Sequence, residues 1–291
     1  KPETILKYLR DISRLITLSS GTQSRSRDMP ASATWLLAPT LFKKYQKIPL
    51  EKRRALSIAA VKCGYAYGLK ENKRWYDAMI SDVNAYKQKR SKQNKSVIEK
   101  EKWLPGGLKQ LKQASTEMKR EIRRLLLENT LKSLYAYSQY MLLRFYSEVA
   151  LRNTLADVEI GTGENHLVKR KGIFTLKLTK FKVSEKIGPV AFPLSRALST
   201  VISKYIKYRK QFNLDHSFLL VNASGKKLSR KALGVALHKL SKKYTGKAVG
   251  SRMIRIFKAT ENKSVLDKAL KVSKEMLHKD LKMTASYARK D

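Results

Sequence analysis

The sequence predicts a mainly α-helical protein carrying one small antiparallel sheet near residues 173–194. Three observations lead there. Apolar residues recur at helical spacing through most of the chain. Residues 173–178 and 190–194 alternate as strands do, joined by the polar residues 182–188 as a hairpin. Residues 88–102 are nearly all polar, bury little, and divide the helical patterns into two sets. With 291 residues there is material for two cores. The expected division is a helical domain over residues 1–90, a basic linker over 91–102, and a second domain over 103–291.

In the first part, residues 4–18 place Ile5, Leu6, Leu9, Ile12, Leu15 and Ile16 on one helical face. Residues 19–30, with four serines, two arginines, Gly21 and Pro30, form a loop by composition. Helices are expected over 35–45, over 49–67 with Pro49 in the first turn, and over 71–89. Residues 56–61 and the stripe of Trp75, Met79, Val83 and Tyr86 are core by their spacing. In the second part, residues 108–126 and the apolar run 131–149 read as helices, followed by the two strands. Helices are then expected over 195–212, over 231–244 with Ser229 as N-cap, and over 264–277. The last of these has Val265, Leu266, Ala269, Leu270, Val272 and Met276 available for packing.

Composition narrows the partner. Lys and Arg number 63 against 23 Asp and Glu, a net charge of +40 spread along both halves. A folded chain so basic repels itself unless a polyanion is near, and nucleic acid is the usual one. The single cysteine, Cys63, excludes an internal disulfide, and the four histidines show no zinc-ligand spacing. No metal or cofactor is expected. The N-terminal apolar positions are interrupted by Lys7, Arg10, Asp11 and Arg14, unlike a signal peptide. No apolar run approaches the ~20 residues of a membrane-spanning helix, so no membrane partner is expected.

The C-terminal residues Leu277, His278, Thr284 and Tyr287 carry a more specific signal. Tyr287 follows His278 by nine positions (287 − 278 = 9). This closely resembles the end of the tyrosine recombinase (phage-integrase) catalytic domain, Leu-Gly-His-x5-Thr-x2-Tyr, with Leu277 in place of the usual glycine. The plain alternative is an amphipathic C-terminal helix with an incidental His and Tyr. Upstream, Arg152 follows an apolar helix in a Leu-Arg pair, like the family's first arginine box. Arg255 matches the arginine of the family's His-x-x-Arg box, and Arg252 stands where the histidine is usual. Lys182 matches the hairpin lysine, with Lys180 and Lys186 as substitutes because register is open.

The resemblance covers residues 103–291 well and the first hundred in general character. It implies a helical core-binding domain and a catalytic domain closing as a C-shaped clamp on double-stranded DNA, in a homo-tetramer on paired sites. It also implies site-specific cleavage through a 3′-phosphotyrosine formed by Tyr287. Arg152, Arg255, Arg252 and His278 would then hold the scissile phosphate, and Lys182 would serve as general acid. Arginine cannot take a proton near neutral pH, so Arg252 departs from any basic role of the histidine. Within the family the chain looks most like integrases of virophages and large DNA viruses, which places it wherever the target DNA is. Only residues 288–291 follow the tyrosine, where many members carry a further helix. A telomere resolvase, a type IB topoisomerase, or a catalytically inactive basic DNA-binding protein would share these features.

Overall fold

The protein is described by a computed structural model covering residues 2–24, 30–92, 94–276 and 281. It forms two compact units, Lys1–Lys95 and Ser96–Asp291. No helix among the described residues is long and apolar enough to cross a membrane.

In the first unit, the chain forms α1 (Pro2–Ser20), α2 (Pro39–Gln46), α3 (Leu50–Ala66) and α4 (Lys73–Ser91). The helix expected over 35–45 is two pieces, a 3-10 turn at Thr34–Leu37 and then α2. Pro39 is the cause. It holds Ala38 in an extended conformation (φ −59°, ψ 121°) and then fits the first turn of α2. On α3 the central residues Leu56, Ser57, Ala59, Ala60 and Val61 are buried. Trp75 of α4 is buried as its stripe predicts, edge-on to Phe42 and Tyr45, with its indole N–H donating to the Leu36 carbonyl at 2.8 Å. Cys63 is a buried free thiol, pushed up in pKa by burial.

The second unit opens with α5 (Val97–Glu101), inside the stretch read as polar linker. Ser96 and Glu99 close it as a capping box, each side chain bonding the other's backbone N–H. Then follow α6 (Gly107–Ile122), α7 (Leu131–Tyr146) and a sheet of β1 (Glu159–Ile160), β2 (Asn165–Arg170), β3 (Ile173–Leu178) and β4 (Val190–Pro193). Helices α8 (Ser184–Ile187), α9 (Arg196–Arg209), α10 (Arg230–Thr245), α11 (Ser251–Glu261) and α12 (Lys263–Glu275) complete it. The core is built around α7, whose Leu134, Met141, Leu143, Phe145 and Tyr146 are fully buried. Ser229 caps α10 as expected, accepting the Ala232 N–H at 3.1 Å.

The sheet corrects the expectation of a purely antiparallel pair. Strands run in the order β1-β2-β3-β4, with β1 parallel to β2 and the other pairs antiparallel. The expected β3–β4 pairing is present, and α8 interrupts the connection between them. Strand β2 escapes sequence reading because Leu167 is its one buried large apolar residue. It joins β3 through Lys171 and Gly172, both at positive φ (46° and 81°), as a two-residue hairpin loop requires. On α12, Val265, Leu266, Leu270 and Val272 remain exposed, so the apolar residues expected to pack do not do so among the described residues.

Candidate active site

Arg152 is presented by a fixed piece of backbone. Tyr146, wholly buried at the end of α7, donates its hydroxyl to the Arg152 carbonyl at 2.7 Å. Arg152 then caps a 3-10 turn, Asn153–Asp157. That turn is tied to the start of α10 by Asn153 Nδ2, which donates to the Arg230 carbonyl at 3.0 Å, and by Asp157, which pairs with Arg230 and Lys227. The chain around Arg152 is therefore held from both sides while its side chain stays exposed.

Arg252 and Arg255 are presented by α11. Met253, Ile254 and Phe257 bury one side of this helix, and Phe257 meets Trp103 edge-on at 5.3 Å. Spacing of three residues then puts both arginines on the opposite face. The start of α11 is packed closely: a Cβ at Gly250 would lie 2.3 Å from His238 Nε2, so a larger residue there would displace the His238 ring. Arg255 Nε also donates to the Ser251 carbonyl at 3.3 Å, holding its stem against the helix.

The two segments meet. Arg152 and Arg255 line one pocket of about 270 Å³ with Leu151, Thr154, Leu178, Phe181, Val190 and Phe192, and no carboxylate lines it. Its size falls below the roughly 300–1,000 Å³ of small-molecule sites. It suits a small anionic group presented by a larger ligand. Burial lowers the proton affinity of Arg255, and the nearby charges of Arg152 and Arg252 lower it further. Arg255, partly desolvated, thus stands within electrostatic reach of both Arg152 and Arg252, where an entering anion would be held strongly.

A larger cavity of about 720 Å³ shares Ala150 and Phe192 with this pocket and is bordered by Lys109, Lys112 and Lys258. Its two carboxylates are engaged within the protein. Glu148 pairs with Arg144 at 2.5 Å, and Glu261 accepts the Leu108 N–H at 3.1 Å.

Among the hairpin lysines, Lys182 is exposed in the turn after β3, next to Phe181 of the pocket wall. Lys180 is instead paired with Glu164 at 3.2 Å, and Lys186 lies on α8. His278 and Tyr287 fall outside the described residues, so Arg152, Arg255 and Arg252 are the predicted site residues that the structure brings together. One neighbour was missed in the sequence. The buried carboxylate of Glu99 on α5 accepts from Arg252 Nη2 at 3.0 Å. Its signal was the Ser-x-x-Glu capping box at Ser96–Glu99, hidden in a segment read as linker.

No family model matches the sequence, and no curated protein matches it. Among solved structures, the crystal structure of XerA recombinase superposes with a TM-score of 0.41 at 13% sequence identity, covering 98% of this chain and 94% of that one. A superposition this loose does not identify a shared fold, and the site is read from its own residues.

Proposed function

We propose that the protein is a tyrosine-type DNA strand transferase, a site-specific recombinase acting as an integrase. In this reading the Tyr287 hydroxyl attacks a backbone phosphorus, its proton passing to solvent. A phosphotyrosyl ester forms to the 3′ side, and the bond to the 5′-oxygen breaks. Lys182 gives the departing oxygen its proton. A 5′-hydroxyl from a partner strand then attacks the ester, restores the diester and frees the tyrosine. Bond energy is conserved through the ester, so neither ATP nor a cofactor enters.

The observation that carries this reading is the convergence of Arg152 and Arg255 in a pocket with no carboxylate in its lining. The phosphorane transition state gains negative charge, and preorganised cations stabilise that gain most. His278 would add a hydrogen bond to the same phosphate. The +40 charge supports a nucleic-acid substrate, and the family resemblance makes it double-stranded DNA. The first unit would act as the core-binding domain, and paired sites would assemble a homo-tetramer.

Incubation with a nicked suicide duplex tests the proposal. A covalent protein–DNA complex is expected, and its absence with every duplex tried, beside intact binding, would leave a basic DNA-binding protein without strand-transfer chemistry. The Arg252–Glu99 pair is the observation that favours this second reading, since it places a paired arginine where the resembled family has histidine. Relaxation of any supercoiled plasmid by the monomer would turn the outcome towards a topoisomerase.

A further inference from the structure

Arg252 faces a physical difficulty. It is 65% exposed on a long flexible stem, and it lies close enough to Arg255 to depress that residue's proton affinity. Like-charge repulsion from Arg255 favours rotamers that swing it into solvent. What opposes this is Glu99. Its side chain is only 7% exposed, and one carboxylate oxygen, Oε1, accepts from Arg252 Nη2 at 3.0 Å. The other oxygen, Oε2, accepts the Ser96 N–H at 2.9 Å, and Ser96 Oγ accepts the Glu99 N–H at 3.3 Å. The carboxylate is therefore fixed by the capping box of α5 before it meets the arginine.

We infer that Glu99 is a positioning residue for the phosphate site, holding Arg252 beside Arg255 so that its remaining N–H donors face the scissile phosphate. The bond to Glu99 uses Nη2 and leaves the rest of the guanidinium fork for an anion. Because Glu99 is anchored through Ser96, Arg252 need not give up the carboxylate when phosphate enters. The same arrangement explains how arginine serves at a position where proton transfer is impossible for it: its role is charge and orientation. The inference rests on the strand-transfer reading above.

A double-mutant cycle in the full-length protein tests it, with single-turnover cleavage of a nicked suicide duplex and duplex affinity measured side by side. Glu99→Gln keeps a capping acceptor at the third position of α5 and removes the charge. Cleavage is expected to slow by about tenfold, the size of a lost charge-assisted hydrogen bond, while duplex affinity stays equal or tightens because a negative charge is gone. Glu99→Asp, which keeps the charge, should recover part of the rate. In an Arg252→Gln background, Glu99→Gln should add no further loss. Unaltered cleavage in Glu99→Gln, an equal loss with and without Arg252, or a loss matched by weakened DNA binding would each overturn the role of Glu99. If the unsubstituted protein forms no covalent complex, the strand-transfer reading itself falls, and the role of Glu99 falls with it. A complex formed by the unsubstituted protein and equally fast by Glu99→Gln overturns only the positioning role.

Discussion

Arg53 in the first unit and Arg255 in the second are both partly buried arginines on helices, yet their surroundings are opposite. Arg53 Nε donates to Asp82 at 2.8 Å, and the other oxygen of that buried carboxylate accepts from the hydroxyls of Tyr45 and Ser57. Every charge there has an internal partner, and the network ties α2, α3 and α4 together. Arg255 instead lies near Arg152 and Arg252, in a pocket whose lining holds no carboxylate. Arg144, on α7 of the same unit, is neutralised by Glu148, so the second unit can pair its cations where packing demands it. The contrast separates two uses of arginine. Arg53 and Arg144, neutralised inside the protein, support the fold, whereas Arg152 and Arg255, gathered against their own repulsion, would serve an anion that comes from outside. Arg252, paired with Glu99, stands between the two.

Salt offers the broadest way to break that contrast. With 63 basic and 23 acidic residues, most cations have no acidic partner within the chain. Duplex affinity should therefore fall by roughly 10³-fold or more between 50 and 200 mM salt, as for proteins making six or more phosphate contacts. Titrations that overlay across that range would contradict the reading of unpaired cations as phosphate ligands. Next in size, Arg255→Ala and Arg152→Ala should each slow cleavage by ~10² or more, by the precedent of removed electrostatic donors. Their unfolding midpoints should stay the same or rise as like-charge repulsion is relieved. An arginine there that proved essential for folding would erase the distinction from Arg53.

Lys182→Ala should slow cleavage by roughly 10²-fold, the lower range for a lost general acid. A duplex with a 5′-thio leaving group, which needs no proton, should restore the rate. Lys180→Ala should matter little, since Glu164 already neutralises it; rescue of the Lys180 variant instead would move the acid to that position. Asp82→Ala should cost about 3 kcal/mol of first-unit stability in urea unfolding, the low end for breaking a buried pair because Arg53 can reach water. Cleavage per folded molecule should be unchanged. A stable Asp82→Ala protein would mean the paired network contributes little to the fold.

The sequence revealed elements whose apolar pattern is continuous and hid those whose pattern is not. Helix α3, with its run of buried residues at 56–61, and α7, with an apolar interior, were legible from periodicity. Strands β3 and β4 were legible from alternation. Strand β2 was not, because it lies beside β3 through backbone bonds and buries little of its own. The break before Pro39 follows from local sterics and was readable in principle. At the site, Arg152, Arg252 and Arg255 were singled out by resemblance, but no spacing rule says that residues on different segments share a pocket. That follows from tertiary anchors such as Tyr146 beneath Arg152 and Phe257 beneath α11. Glu99 escapes the sequence because residues 88–102 have the composition of a polar linker, although one of its carboxylate oxygens is used in a local cap and the other by Arg252.

The central claim is that the guanidinium pocket serves a tyrosine nucleophile, and covalent trapping with Tyr287→Phe tests it most directly. Wild-type protein on a nicked suicide duplex should give a denaturant-resistant protein–DNA complex. Tyr287→Phe should bind the same duplex with nearly the same affinity, since only a hydroxyl is lost, and give no such complex. A complex that still forms with Tyr287→Phe would place the nucleophile elsewhere and contradict the account.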